Sequence, residues 1–419
     1  MFDLRPWAIS WLLLVSNCGF WLYCFNRLNA WGVPRKTTKR GEKLLVAICF
    51  LLPSLVFAID HRPLLTWLLA TGGWWPSSAP VFAVWGGLCL LAAVVLGPPW
   101  LESRRWLWPP EQLLSTQAKR IDVAAQLRPH GKRATGSRRA ALFNRLPGNE
   151  ITQLEVNHKQ LRLPRPIVGI DEMRIAHISD LHFTGHISLD FHHYVVDRVL
   201  ELQPQLIVIT GDIIDYPRCL PWIEPLLGRL QAPLGCLYVL GNHDQRIADT
   251  AEITGRLEAA GLRDAGRGDL VLRLPSGGQI YVTGNERPWF RRHDPSRLHE
   301  CWDPRAASSV RPAAAAEKTP VAEDVLRLGL SHSPDQLEWA RQRQLDVLLA
   351  GHTHGGQVRV PGVGPLVAPS FYGSRFASGV FYLPPVLMHV SRGISGTHAV
   401  RWRCLPEVSL LTFRTPTCT

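Results

Sequence analysis

The chain has 419 residues and a formal net charge of +12, and two segments carry all of that excess. Residues 26–43 contain six basic side chains against one acidic, and residues 101–147 contain ten against three. Residues 148–419 are formally neutral, which argues against a nucleic-acid enzyme, because such an enzyme carries its basic surface on the catalytic domain. The nine cysteines are scattered without a C-x-x-C pair, which argues against a disulfide framework.

Three apolar segments within residues 1–105 predict a helical membrane region, with spans near residues 7–25, 44–60 and 80–100. The second span contains Pro53, so we expect it to tilt or to borrow from residues 64–70. The basic segments flank these spans, and the positive-inside rule therefore predicts a multi-pass cell-membrane protein in which everything after the third span is cytoplasmic. The alternative interpretation is a set of buried apolar helices in a soluble domain.

Residues 106–149 are predicted to form a basic juxtamembrane linker. Within it, residues 111–127 place apolar side chains at helical spacing, with Lys119 and Arg120 on another face. This pattern predicts either a helix that lies on an anionic leaflet or a solvated linker helix. The Gly-, Arg- and Ser-rich residues 130–139 are typical of a flexible linker.

Residues 150–419 show strands that alternate with helices, which predicts an α/β domain that begins with a hairpin at residues 151–163. Five apolar runs end in polar motifs: Asp180-Leu-His182, Gly211-Asp212, Gly241-Asn242-His243-Asp244, Ser331-His332 and Gly351-His352-Thr-His354. Asp180, Asp212 and Asn242 are separated by 32 and 30 residues, about the length of a βαβ repeat, so their strands should end at one edge of a sheet. Such carboxylate, imidazole and amide ligands suit Mn²⁺, Fe, Zn²⁺ or Mg²⁺.

Together these motifs resemble the signature of the calcineurin-like metallophosphoesterases. The wording SDLHF, GHTHGGQVRVPG and LPEVSLLTF is similar to the bacterial membrane-associated phosphodiesterase branch of that family. The resemblance covers roughly residues 150–414 and implies a four-layer α/β/β/α sandwich with two divalent metal ions. It implies that Asp180, His182, Asp212 and His354 hold one metal, and that Asp212, Asn242, His332 and His352 hold the other.

The resemblance also implies a reaction, the hydrolysis of a phosphate ester by a metal-bound hydroxide without a covalent intermediate. It gives His243 a contact to a phosphate oxygen or to the leaving group. Asp244 would orient His243 and raise its pKa, and Asp215 would support the ligands from behind. The membrane region favours an amphiphilic or lipid-linked phosphodiester or pyrophosphate as substrate, and no nucleic acid is expected.

Residues 286–324 are an irregular insertion that begins with aromatic and basic residues. Arg291 and Arg292, in this stretch, are candidate contacts to a phosphate or to a lipid interface. Two alternatives are kept beside the phosphodiesterase interpretation: a non-enzymatic metal-binding membrane scaffold or sensor, and a phosphomonoesterase or protein phosphatase. Since every expected ligand and His243 are present, the motifs favour the enzyme.

Overall fold

The structure is a computed structural model of the chain, and it describes residues 3–69, 74–76, 78–104, 109–291 and 324–416. These residues belong to two compact units. One takes its residues from 1–107 and 369–375, and the other takes its residues from 108–368 and 376–419.

The first unit contains three helices that are long and apolar enough to cross a membrane. They are α1 (Arg5–Ala30), α2 (Arg35–Ile59) and α4 (Pro80–Glu102), and a short helix, α3 (His61–Leu69), precedes α4. The first and third predicted spans lie within α1 and α4, and the second, residues 44–60, lies within α2 apart from its last residue. Residues 64–69 do not extend the second span, because α2 ends at Ile59 and α3 is a separate helix.

These helices expose large apolar side chains. Trp11, Phe50, Leu88 and Val94 are each more than 60% exposed, and a soluble bundle would bury side chains of this kind. Around Leu13, which is fully buried, the helices pack their remaining apolar side chains against one another. The unit is therefore built to present apolar surface outward, which is typical of a protein in a lipid bilayer.

The second unit contains two large β-sheets. The first sheet consists of β1 (Leu113–Asp122), β2 (Gln153–Arg162), β3 (Arg174–Ile178), β4 (Leu206–Thr210), β5 (Cys236–Val239), β6 (Leu262–Asp264) and β15 (Glu407–Arg414). Its strand order is β1-β2-β15-β3-β4-β5-β6, and β3 to β6 are parallel. β15 lies in the middle, parallel to β2 and antiparallel to β3.

The second sheet consists of β7 (Leu270–Arg273), β8 (Gln279–Asn285), β9 (Val325–Ser331), β10 (Val347–Ala350), β13 (Gly379–Leu383) and β14 (Val386–Val390). Its order is β13-β14-β10-β9-β8-β7, with β8, β9, β10 and β14 parallel. A small two-stranded sheet joins β11 (Arg359–Val360) to β12 (Gly364–Pro365). The remaining helices are α5 (Val123–Leu127), α6 (Arg138–Phe143), α7 (Leu189–Glu201), α8 (Ile223–Leu227), α9 (Thr250–Ala259) and α10 (Leu337–Gln342).

Alternate residues of β4 show how the layers pack. Ile207 and Ile209 lie in a core with residues of α7, α8 and α9, whereas Leu206 and Val208 lie in a core shared with the second sheet. The period of two along a strand sends its side chains to both faces, and both faces here are covered. The predicted α/β class is confirmed, and a fourth layer outside the second sheet stays a prediction.

Residues 113–122, predicted as part of a linker helix, form a strand instead. β1 pairs antiparallel with β2 along almost its whole length, from Leu113 opposite Leu161 to Asp122 opposite Gln153. The predicted helix is wrong here because pairing with β2 satisfies the backbone groups, which outweighs a weak helical spacing. The predicted hairpin at 151–163 is likewise a single strand, β2, which pairs antiparallel with β1 across the intervening helices α5 and α6.

Candidate metal centre

The polar motifs follow the carboxyl ends of parallel strands in both sheets. Asp180, Asp212 and Asn242 follow β3, β4 and β5 of the first sheet, while His332 follows β9 and His352 and His354 follow β10 of the second sheet. His182 lies two residues after Asp180. All seven side chains meet in one place, and they come from two sheets that face each other. Their roles as metal ligands stay predictions.

Five of these seven residues adopt the left-handed backbone conformation. Their φ angles lie between 44° and 71°, and the residues are Asp180, His182, Asp212, His352 and His354. This conformation costs on the order of 1–3 kcal/mol for each non-glycine residue and persists where the surroundings enforce it. Backbone bonds supply that enforcement, as in the bond from the His182 amide to the Asp212 carbonyl oxygen at 2.9 Å.

Glycine is required at two positions beside the ligands. Gly211 has a φ of 81°, and a Cβ there would lie 2.7 Å from Nδ1 of His332. A Cβ on Gly241 would lie 2.3 Å from Oδ1 of Asp212. The glycines in Gly-Asp and Gly-Asn-His-Asp therefore let the backbone of one motif approach the ligands of the others.

One group of potential ligands consists of Asp180, His182, Asp212 and His354. Nε2 of His182 lies 3.2 Å from Nε2 of His354 and 3.4 Å from Oδ2 of Asp212. Oδ1 of Asp180 lies 3.6 Å from Nε2 of His354. These nitrogen and oxygen atoms converge at the spacing expected of ligands around one ion.

A second group consists of Asp212, His332 and His352, with Asn242 beside them. Nε2 of His332 lies 3.3 Å from Oδ1 of Asp212, 3.2 Å from Oδ1 of Asn242 and 3.1 Å from Nδ1 of His352. Asp212 therefore directs Oδ2 into the first group and Oδ1 into the second. It is the one residue that belongs to both groups.

The far sides of two imidazole rings are held in the way that metal-bound histidines require. Nδ1 of His182 lies 2.7 Å from the Asp215 carboxylate, and Nδ1 of His332 lies 2.7 Å from the Thr210 carbonyl oxygen. Each Nδ1 therefore carries a proton, and in the neutral ring each Nε2 directs a lone pair at carboxylate and amide oxygens. Acceptor atoms that face one another in this way need a cation between them, so the residues fit divalent metal ions.

The pKa of His332 points to the same need for positive charge. Burial of the ring acts to lower its pKa, but Asp212 and Asp180 outweigh burial and raise the pKa to about 9. The surroundings therefore favour a positive charge at the centre.

Asp215, and not Asp244, orients His243. Nδ1 of His243 lies 2.6 Å from Oδ1 of Asp215. The carboxylate of Asp244 instead accepts backbone N–H groups of Ile213, Ile214 and Gly241 at 2.8–2.9 Å, so it holds two loops together. The predicted pairing of Asp244 with His243 is wrong because these backbone donors turn the Asp244 carboxylate away from its neighbour.

The pKa of His243 is also opposite to the prediction. Burial lowers it to about 4, although Asp212 and Asp215 act to raise it. Burial would raise the pKa of Asp215, but the hydrogen bonds and charges of His182 and His243 hold it well below its ordinary value. Asp215 is therefore a carboxylate, and the neutral His243 ring donates to it.

Trp289 is a residue of the site that the motifs do not reveal. Its ring centroid lies 4.8 Å from that of His352 and 5.4 Å from that of His332, so it packs against two potential ligands. Arg291 is exposed, and Arg292 and most of the 286–324 insertion lie outside the described residues. The aromatic residues within 287–293 indicated a role near the site, but only the structure shows that Trp289 packs against His332 and His352.

Residues 173–356 match the family described as calcineurin-like phosphoesterases. The chain contains a calcineurin-like metallophosphoesterase domain. The family consists of hydrolases that use divalent metal ions, so the predicted enzyme class is confirmed at that level. The ligand groups described above lie in this metallophosphoesterase domain.

Three relatives illustrate the match. The uncharacterized metallophosphoesterase YkuE of Bacillus subtilis is 28% identical over 250 residues, which are 59% of this chain and 80% of that protein. The phosphodiesterase YaeI of Escherichia coli is 27% identical over 242 residues, 57% of this chain and 81% of that protein. The UDP-2,3-diacylglucosamine pyrophosphatase LpxG of Chlamydia muridarum is 25% identical over 309 residues, 62% of this chain and 88% of that protein.

Proposed function

We propose that the chain is a membrane-anchored phosphoesterase that binds two divalent metal ions and hydrolyses a phosphodiester or pyrophosphate bond. The observation that carries this proposal is the division of Asp212 between the two ligand groups, because a carboxylate with one oxygen in each group suits a bridge between two ions. Two such ions would activate a water and neutralise the charge of the bound phosphate. The donor atoms are carboxylate and amide oxygens and imidazole nitrogens, which suit Mn²⁺, Fe, Zn²⁺ or Mg²⁺.

The chain's own residues have separate roles in this proposal. His182 and His332 would hold the ions through Nε2, because Asp215 and Thr210 hold the Nδ1 atoms. Asn242, His352, His354 and Asp180 complete the ligands. His243, which is 14% exposed, contacts the phosphate or the leaving group. Asp244 maintains the loops on which Asp212 and His243 lie.

An amphiphilic or lipid-linked substrate is proposed because the catalytic domain follows three helices that are long and apolar enough to cross a membrane. The name of LpxG, which refers to a diacylated sugar nucleotide, supports the same class. The basic residues that flank the helices favour a cytoplasmic catalytic domain. Arg291 and Arg292 are proposed as contacts to the phosphate or to the lipid surface.

Turnover of bis-p-nitrophenyl phosphate by the full chain in detergent, with Mn²⁺, tests the proposed function. We expect Asp212→Asn to lower kcat by about 1000-fold or more, because the loss of a bridging charge removes several kcal/mol of stabilisation. The bound Mn²⁺ per chain should fall as well, which elemental analysis measures. The matched control is Asp197→Asn. Asp197 lies on α7 and forms a surface ion pair with Arg229, so this change should leave kcat and the bound Mn²⁺ unchanged.

Two results would contradict the proposal. Equal turnover by wild type and Asp212→Asn would exclude a metal bridge at this residue. If Mn²⁺-loaded wild type hydrolyses neither this substrate nor lipid phosphodiesters and pyrophosphates, the scaffold or sensor alternative would replace the enzyme.

A further inference from the structure

Arg246 places a cation beside the metal centre. It ends a short helical turn, Asp244–Arg246, that starts directly after His243. Its Nη2 lies 2.8 Å from Nε2 of His243, and its Nη1 donates to the Asp215 carboxylate. The side chain is 14% exposed, the same fraction as His243 and His354. The guanidinium is therefore fixed where the buried centre meets the surface.

The bond from Arg246 determines which atom of His243 carries the proton. Because Nη2 is a donor, Nε2 of His243 is the acceptor, and the ring proton lies on Nδ1, which donates to Asp215 at 2.6 Å. Nε2 lies 4.0 Å from Oδ2 of Asp212, so this side of the ring faces the ligand groups. The centre is thus flanked by a guanidinium charge and not by an imidazole N–H.

Leaving groups differ in what they need from a residue beside the centre. The alkoxide released from an alkyl phosphodiester needs a proton as it departs. The phosphate released from a pyrophosphate needs its growing negative charge to be stabilised, and a nearby cation does this. Arginine is always charged and binds phosphate oxygens through a planar set of donors, so it suits the second case.

We propose that Arg246 binds the leaving phosphoryl group of a pyrophosphate and makes the site selective for phosphoanhydrides over phosphodiesters that release an alcohol or a phenol. This inference rests on the proposed function and names the substrate class of the same site. In the reaction the oxygen of water bonds to one phosphorus, and the bridging oxygen departs with the bonding electron pair on the second phosphoryl group. The proton that water releases passes to solvent. Arg246 exchanges its bond to His243 for one to the departing phosphate.

A binding experiment tests the contact without turnover. We measure by calorimetry the binding of α,β-methylene adenosine diphosphate and of adenosine monophosphate to the full chain in detergent, with Mn²⁺ in excess. The two ligands differ in the second phosphoryl group. Arg246→Gln should weaken the diphosphate analogue about 30-fold, the loss of a charged hydrogen-bonded contact, and the monophosphate about threefold at most. Arg246→Lys should fall between wild type and Arg246→Gln for the diphosphate analogue.

A kinetic experiment separates this inference from the proposed function. The kcat/KM of Arg246→Gln should fall about 30-fold for UDP-glucose, a phosphoanhydride. It should fall only about threefold for bis-p-nitrophenyl phosphate, because the nitrophenolate leaving group has no phosphoryl oxygens for Arg246 to bind. The control Arg256→Gln changes a surface arginine that pairs with Glu224 and Glu252 and should match wild type on both.

Each other outcome has a defined meaning. Equal losses on both substrates, or no loss on either, would overturn the role of Arg246 and leave the proposed function intact. Wild type that hydrolyses only bis-p-nitrophenyl phosphate would do the same. Wild type that hydrolyses neither substrate would overturn the proposed function and this inference together.

Discussion

Asp215 is the carboxylate on which the polar side chains around the centre depend. It accepts from Nδ1 of His182, from Nδ1 of His243 and from the guanidinium of Arg246. These partners include one potential ligand, the residue proposed to contact the phosphate, and the residue proposed to bind the leaving group. The orientation of all three therefore depends on one buried, ionised side chain.

Asp215→Asn tests this dependence. The amide keeps the shape of the side chain but replaces one acceptor oxygen with a donor, so it cannot accept all three bonds. We expect kcat/KM or the affinity for Mn²⁺ to fall about 10–100-fold, the range seen when a group behind a metal ligand is lost. Turnover and metal titration with the full chain measure this, with Asp197→Asn as control. Values within twofold of wild type for both would show that Asp215 is dispensable.

The convergence of the potential ligands could be predicted from the motifs, but the contacts of Asp215 and Asp244 could not. Asp180 and Asp212 follow parallel strands at βαβ spacing, so their convergence follows from topology alone. The choice between Asp215 and Asp244 as partner of His243 depends on loop conformation. Asp244 is next to His243 in the chain, yet its carboxylate accepts from the backbone N–H groups of Ile213 and Gly241. Asp215 instead approaches the ring from the loop that follows β4.

At the scale of elements, α7 buries a histidine in an apolar core. His192 is 1% exposed and lies against the aromatic rings of Phe183, Phe191 and Trp222. Neither ring nitrogen has a hydrogen-bond partner among the described residues. Burial, with smaller effects of His193 and His182, lowers its pKa to about 3. The helix therefore carries a group that the folded protein keeps uncharged.

His192→Leu should make the protein less sensitive to acid. Below pH 6.5 the unfolded chain takes up a proton that the folded chain takes up only near pH 3, so wild type loses stability as the pH falls through this window. The loss is about 1.4 kcal/mol per pH unit, or about 2 kcal/mol at pH 5. Thermal unfolding of the full chain in detergent at pH 8 and pH 5 measures it, with the exposed His130→Gln as control. An unchanged difference between the two pH values would contradict the prediction.

Elements that follow a strong local period could be predicted, and elements that depend on pairing could not. β4, an unbroken apolar run, ends at Thr210, directly before the Gly211-Asp212 motif, as predicted. β1 has mostly exposed side chains and is a strand only because β2 lies beside it. The sequence of β1 alone contains no information about its partner strand β2, which begins about thirty residues after β1 ends.

At the scale of the whole molecule, residues 109–149 belong to the catalytic unit. Val123, Leu127 and Ala140 are buried in the core that also holds α7 and β4. A fragment that starts at residue 150 would expose this core and the edge of β2. A fragment that starts at residue 109 would keep both covered.

We therefore expect fragment 109–419 to be more stable than fragment 150–419. Each large apolar side chain removed from the core costs about 1.5–3 kcal/mol, so the shorter fragment should unfold at a Tm lower by several degrees or should aggregate. Thermal unfolding followed by circular dichroism compares the two fragments. Equal Tm values would show that residues 109–149 are a linker after all.

The position of β15 between β2 and β3 determines when the first sheet can be completed. Residues 407–414 pair with both β2 and β3. Neither of these strands can therefore complete its backbone hydrogen bonds until residues 407–414 have left the ribosome. The apolar helices of the first unit are synthesised more than 300 residues earlier and have time to enter a membrane first. The potential ligands that follow β3, Asp180 and His182, can reach their final positions only after β15 has paired with β3. If the chain functions as proposed, metal ions bind after β15 has been synthesised and after the apolar helices have entered the membrane.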